Sequence, residues 1–247
     1  MPTRRRPLPI PELFLGLLAL AVAAVICVDN VNATIHEARH ARDTVSVTGS
    51  ARKPISSDLA RWSVSVSHES PDAATAARRL RGEAATVRSF LEREGIPAAA
   101  ISPTVVRSEQ QVALLSHHVR RVSYRVSEAF EISTRKLDVV QRAATSVGTL
   151  IARGIDVSAG EPSYISTELT KAKLDALAAA TEDARQRADI IVHGLGGKLG
   201  PMRRTQLGVY QITPRDSTEI SDYGVNDTSS REKDVNAVVT ATFAVDK

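Results

Sequence analysis

The sequence predicts an α+β fold: an antiparallel sheet with its helices on one face. Three observations point there. Alternation of apolar and polar residues in RWSVSVSH (61–68) and in RVSYRV (121–126) marks half-buried strands. Apolar recurrence at steps of three and four through Ala73, Ala76, Leu80, Ala84, Val87 and Leu91 marks an amphipathic helix. The two periods then alternate along the chain in the order β-α-β-β-α-β between residues 61 and 167, the order of a split βαβ sandwich.

Taken in order, VSVTG (45–49) is a short opening strand, with Val45, Val47 and Gly49 on one side. The strand at 61–68 follows. Ser70-Pro71-Asp72 then opens the first helix, Ser being a good N-cap and Pro suiting the first helical position. Gly95 and Pro97 end it. Its outer face carries Arg78, Arg79, Arg81, Arg88 and Arg93 with Glu83 and Glu92, and is read as a solvated face with ion pairs rather than an anion or lipid site. Two strands, Ile101–Leu115 and Val119–Ile132, are separated by a polar turn at Ser116-His117-His118. Residues 135–151 form a second helix, with Leu137, Val140, Ala144, Val147 and Ile151 on one side. A strand follows across Ile155–Thr167. A long helix spans about 170–195, capped by Thr170, with Leu174, Leu177, Thr181, Ala184, Ala188, Ile191 and Leu195 as its buried stripe. Leu199–Thr213 and Val235–Val245 are two closing strands, and the polar, turn-rich stretch 214–234 between them is expected to be a mobile loop.

The N-terminus is of another kind. Residues 13–28 (LFLGLLALAVAAVICV) bear no charge, behind Arg4, Arg5 and Arg6. As a helix they would rise about 24 Å, slightly short of a bilayer core of about 30 Å. Three readings compete. One is an uncleaved signal anchor, arginines inside and the rest of the chain outside the cytoplasm. Another is a signal peptide cleaved near Val31-Asn32-Ala33, giving a secreted protein. The third is a buried core helix, disfavoured by the terminal position and the arginines. The anchor is preferred. Residues 1–28 are thus the signal anchor or signal peptide, 29–43 a polar stalk, and 44–247 the folded domain. The expected location is membrane-anchored, with the C-terminal domain in the periplasm or cell envelope.

Composition narrows the function classes. The formal charge is +4, of which the arginines of the leader, set against Glu12, supply half. No basic stripe accompanies it, and aromatics make up only 4% of the chain, so no nucleic-acid partner is expected. The one cysteine, Cys27, lies in the apolar segment, so no disulfide or cysteine-based zinc site is available within one chain. His36 and His40 would share a helical face, but no third ligand is arranged with them. His117 and His118 would point to opposite faces of a strand. Gly194–Gly200 resembles a phosphate loop in composition only, because it ends a helix where a phosphate loop begins one. No Gly-x-Ser-x-Gly elbow occurs, and His68, His193, Asp183 and Asp189 form no legible catalytic set. No catalytic residue, cofactor or metal ligand is therefore assigned, and the chain is read as a non-enzyme.

Residues 44–246 resemble the SIMPL-domain family, the YggE-like exported bacterial proteins. Its opening Val-x-Val-x-Gly strand is similar to Val45–Gly49, with Asp58-Leu59-Ala60 before the next strand. Its central Tyr-Arg strand is similar to Tyr124-Arg125-Val126-Ser127, and its Leu-Asp helix to Leu137-Asp138 through Gly148. Its Ala-rich helix and glycine turn are similar to Ala180, Ala184-Arg185 and Arg187-Ala188 followed by Gly196-Gly197-Lys198-Leu199-Gly200. The Pro-Asp common in the family is Ser57-Asp58 here. The resemblance implies an exported or membrane-attached domain that self-assembles, with a loose link to stress tolerance and no catalytic residues to carry over. The expectation is a homo-oligomeric structural or interaction protein of the envelope; the alternative is a small-ligand or lipid-binding module of the same compartment.

Overall fold

The computed structural model describes residues 43–116 and 119–246. The chain is mixed α+β, as its two periodicities require. It divides into two compact units. One comprises Ala51–Ala179 and Val209–Ala237; the other comprises, among the described residues, 43–50, Ala180–Gly208 and 238–246.

The larger unit is built on a sheet in which β5 (Val119–Thr134) and β2 (Leu59–Ser70) are the central pair. Their antiparallel register runs without a break from Ala60↔Thr134 to Ser70↔Tyr124. On the far side of β5 lie β3 (Ile101–Pro103) and β4 (Arg107–Ser116). On the far side of β2 lie β6 (Asp156–Ala159) and β7 (Ser163–Ile165). Two of the expected strands are thus broken. The stretch 101–115 is split by Thr104, whose Oγ1 accepts from Ala129 N–H, and 155–167 is split at Gly160, whose carbonyl accepts from Trp62 Nε1 at 2.8 Å.

Alternation in β2 buries Ala60, Trp62, Val64 and Val66 on one face. Directly opposite, Phe130 and Ile132 of β5 join them. Two helices cover this face. The first, α1 (Ala73–Arg93), buries Ala76, Leu80, Ala84, Val87, Phe90 and Leu91. Its N-cap is Asp72, not Ser70. The Asp72 carboxylate accepts from Thr75 N–H at 2.7 Å, whereas Ser70 is still in β2. The Thr75 hydroxyl, which also donates to this carboxylate at 2.5 Å, and then Thr75 N–H hold the Asp72 carboxyl below its ordinary range. The helix ends as a Schellman motif: Gly95, at φ 98°, donates to Glu92 O, and Ile96 N–H reaches back to Leu91 O.

The second helix is not continuous over 135–151. It comprises α2 (Leu137–Ser146) and a single turn, α3 (Gly148–Ile151). The inward positions run Val140, Ala143 and Leu150, with Val147 partly buried between them, so Leu150 is fully buried and Ile151, expected on the inner face, is exposed.

The larger unit also contains β9 (Gln211–Pro214) and the first residues of β11 (Glu232–Asp246), paired antiparallel through Lys233↔Pro214 to Asn236↔Gln211. A two-residue strand, β10 (Val225–Asn226), lies parallel to β9 inside the stretch read as loop.

In the smaller unit, β11 pairs antiparallel with β8 (Lys198–Leu207), with register shifts on either side of Phe243. The beginning of β1 (Thr44–Ser56) lies along β11: Thr48 and Ser46 hydroxyls meet those of Thr240 and Thr242 at 3.1 and 3.2 Å. The expected strand 199–213 is two strands, β8 and β9.

The long helix α4 (Leu169–Gly194) departs most from expectation. It begins at Leu169, so Thr170 lies within its first turn and is not its cap. Its buried positions are Ala172, Ala176, Ala180, Ala184, Ala188 and Val192, strictly four apart, while Leu174, Ile191 and Leu195 are exposed. The reason is backbone proximity. In the smaller unit a Cβ on Gly49 of β1 would lie 2.3 Å from Ala180 O and from Ala184 N. Only alanine on one side and glycine on the other permit that approach. Val47, Ala184, Ala188, Ala241 and Phe243 form the resulting small core.

Candidate functional site

Alternation along β11 buries Lys233, Val235, Ala237, Val239 and Ala241 in turn. Lys233 thus occupies an inward position of a strand, and its side chain is 3% exposed. A buried ammonium needs acceptors for its protons. Lys233 Nζ donates to the backbone carbonyls of Tyr164, at 2.7 Å, and Asp227, and it lies 3.9 Å from the Asp227 carboxylate.

Asp227 is itself tightly held. Its carboxylate accepts from Ser229 N–H at 2.9 Å, Ser229 Oγ at 2.7 Å, Ser230 N–H at 3.2 Å and Ser230 Oγ. Burial pushes the Asp227 carboxyl up, but the serine donors and Lys233 outweigh it and leave the group below the ordinary carboxylate range. Burial pushes Lys233 down, and Asp227 only partly restores it. Backbone hydrogen bonds from Asp227 N–H to Ile212 O and from Tyr164 N–H to Thr228 O attach the same loop to β9 and β7. Lys233 is therefore a clamp: one charge fixes the 227–230 turn against two strands. Beside it lies a cavity of about 160 Å³ walled by Ile55, Tyr164, Ile165, Leu169 and Ile212.

Arg231 lies on the other side of Tyr164, its guanidinium over the ring at 5.2 Å from the centroid. It donates to Asp138 of α2 at 2.5 Å, and this hydrogen bond raises the Arg231 pKa and lowers that of Asp138.

Sequence reasoning found none of these four charged groups as a set. Lys233, Arg231 and Asp227 lie in the polar, turn-rich stretch 214–234, and Asp138 lies in the Leu-Asp start of a helix. One signal was present: Lys233 continues, two residues upstream, the inward parity of Val235, Ala237 and Val239.

The residues weighed individually have local partners. His68 Nδ1 meets Glu83 at 2.9 Å and His193 Nδ1 meets Asp189 at 3.1 Å; no hydroxyl or thiol bonds either ring among the described residues. Asp183 accepts from Ser50 N–H at 2.8 Å and Arg187 Nε at 2.9 Å, so it holds β1 on α4. Gly194–Gly200 closes α4: Gly196, at φ 81°, donates to His193 O, and Gly197 N–H to Val192 O. Arginines 78, 79, 81, 88 and 93 of α1 are exposed, with Arg88 paired to Glu92 at 3.1 Å. His36, His40, the His117-His118 pair, the 13–28 segment and Cys27 lie outside the described residues. Among the described residues no helix is long and apolar enough to cross a membrane, and no group of three or more His, Cys, Asp or Glu could hold a metal ion.

Fold and site together define an α+β domain whose buried charges are engaged by backbone groups and by one another. The chain belongs to the SIMPL family, described as a protein of unknown function (DUF541), whose model matches residues 45–243. It is 24% identical over 200 residues to the uncharacterized protein YggE of Escherichia coli (strain K12), covering 79% of this chain and 78% of that one. The same values hold for uncharacterized protein YggE of Shigella flexneri.

Proposed function

We propose that this chain is a non-catalytic protein of the cell envelope, held at the membrane through residues 13–28, that acts by self-assembly in a structural or interaction role. The observation behind this is the outer face of α4 near its C-terminus. Ile190 and Ile191 are 72% and 45% exposed on a helix whose buried positions are almost all alanine, and Leu195, just past its end, is 85% exposed. Ile191 and Leu195 also wall an apolar hollow of about 350 Å³ with Val45 and Val245. Adjacent large apolar side chains kept in water mark an interaction surface. The clamp role of Lys233 supports the non-catalytic reading, because its donors are spent on fixed carbonyls.

Light scattering on the full chain in non-ionic micelles tests it. A multimer is expected, reduced to one chain per micelle in I191E/L195E. A strict monomer at high concentration, or a multimer indifferent to those substitutions, sinks the assembly reading. The alternative, a small-ligand or lipid-binding module, draws on the hollow beside Lys233 and is tested by a thermal-shift screen with envelope lipids and metabolites, since a ligand of the native state raises Tm.

A further inference from the structure

We infer that the N-terminus of α2 is a binding site for a phosphoryl group. The site is a hollow of about 510 Å³ in the larger unit, walled by Ser57, Arg135, Lys136, Asp138, Arg142 and Arg231 among others. That is room for a phosphate and a small organic body attached to it.

Three independent features converge on this hollow. The first is the helix itself. No side chain caps α2: Lys136 is its N-cap residue, and Leu137, Asp138 and Val139 have N–H groups with no hydrogen-bond partner among the described residues. Free N–H groups and the positive end of the helix dipole favour an anion there. The second is buried polar atoms left without partners. Ser57 is 8% exposed, and its Oγ bonds to nothing among the described residues. Arg231 is held on both sides, Nη1 bonded to Asp138 and the guanidinium over the Tyr164 ring, while Nε and Nη2 make no hydrogen bond among the described residues. Buried hydroxyls are normally satisfied, so Ser57 Oγ calls for a partner. Ser57 N–H donates to Arg231 O at 2.8 Å, which fixes the two residues beside each other.

The third feature is charge. Arg135, Lys136, Arg142 and Arg231 face Asp138 and Glu232. Glu232 is already engaged by Arg215 at 2.9 Å and by Ser56 Oγ at 2.8 Å. Arg135 lies 3.9 Å from Asp58, an exposed and long contact. The surplus is cationic and suits a dianion, and arginine forks match phosphoryl oxygens. Asp138 is the one carboxylate that opposes an incoming phosphate, and it holds Arg231 in its absence. The source of the phosphoryl group is a free phosphate ester or a phospholipid headgroup, the chemistry being shared.

The proposal is independent of self-assembly, so I191E/L195E chains should bind as well as wild type. The experiment is calorimetric titration of the full chain in non-ionic micelles with glycerol phosphate and with inorganic phosphate, at ionic strength matched with chloride. Vesicles with and without phosphatidylglycerol form a second arm. Wild type should bind; R135E/R142E should bind about tenfold more weakly or not at all. D138N should bind more tightly, an outcome that a purely structural Arg231–Asp138 pair does not give. S57A, which keeps every charge, should weaken binding severalfold and serves if the double reversal fails to fold. Tighter binding of glycerol phosphate than of vesicles assigns a free ester; response to phosphatidylglycerol vesicles alone assigns a lipid headgroup. A response equal to that of chloride, or one that R135E/R142E and S57A both leave unchanged, overturns the site.

Discussion

Replacing Lys233 with Met removes the ammonium and keeps most of the side-chain volume. In the folded protein two buried carbonyls, of Tyr164 and Asp227, then lose a donor, and the Asp227 carboxylate loses its cation. Each orphaned buried acceptor costs about 1–3 kcal/mol. Asp227 keeps its donors from Ser229 and Ser230, so its share is at the low end. The thioether packs against Ile55, Ile165 and Ile212 and offsets part of the loss. The net is about 3 kcal/mol, the lower edge of the range for breaking a buried pair. For a chain of this size that lowers Tm on the order of 10 °C. Trp62, the single tryptophan, is 3% exposed in the same unit, so its fluorescence during urea unfolding of the full chain in micelles reports on this unit directly. If the clamp is as described, D227N added to K233M costs less than D227N alone, because the two groups act together. A K233M loss below about 1 kcal/mol, within the range of ordinary surface substitutions and small repacking, would falsify the clamp.

Other substitutions probe other joints. G49A brings a methyl to within 2.3 Å of the α4 backbone, so β1 and the helix must separate; a loss of about 1–3 kcal/mol or more is expected, and an unchanged Tm refutes the close approach. D72A removes the α1 N-cap and should cost about 1 kcal/mol, whereas S70A should be nearly silent; the reverse order in urea midpoints would reinstate Ser70. Asp58 is held below its ordinary pKa first by the Thr167 hydroxyl, at 2.6 Å, and then by Thr167 N–H. Its folded pKa is depressed, so the stability it contributes is fully present above the unfolded value of about 4 and is lost as pH falls through the folded value. D58N should therefore be less stable at neutral pH yet lose less between about pH 4 and pH 2; parallel acid-unfolding curves for the two proteins contradict this.

Legibility in the sequence followed how local each determinant is. β2, β5 and α1 were readable because their burial obeys their own period, from Trp62, Val64 and Val66 to Leu80, Val87 and Leu91. The glycine stops at Gly95 and Gly196 were readable for the same reason, since a left-handed turn is a property of one residue. The stripe of α4 was not. Size suggested that Leu174, Ile191 and Leu195 face inward, but the partner is a strand backbone at Gly49, and contact at that distance selects alanine over leucine. The exact inner face of α2 and α3 was not readable either, because Ala143 and Leu150 have apolar neighbours in Ala144 and Ile151 and composition does not choose between them. The charged groups at Lys233, Asp227, Arg231 and Asp138 come from β11, the turn before it and α2, and only the folded sheet brings them together. Their residue types, scattered through a polar stretch, look like ordinary solvated charges until the register of β9 on β11 is known.

Protease added to cells stripped of their wall, followed by immunoblotting of the tagged C-terminus, asks on which side of the membrane the folded domain lies. The expected result is loss of the C-terminal fragment in intact cells, while cytoplasmic markers survive and the protein sediments with membranes. A C-terminal domain that stays protected until the cells are lysed, or a full-length chain recovered in the soluble cytoplasm, contradicts an exported domain tethered through residues 13–28.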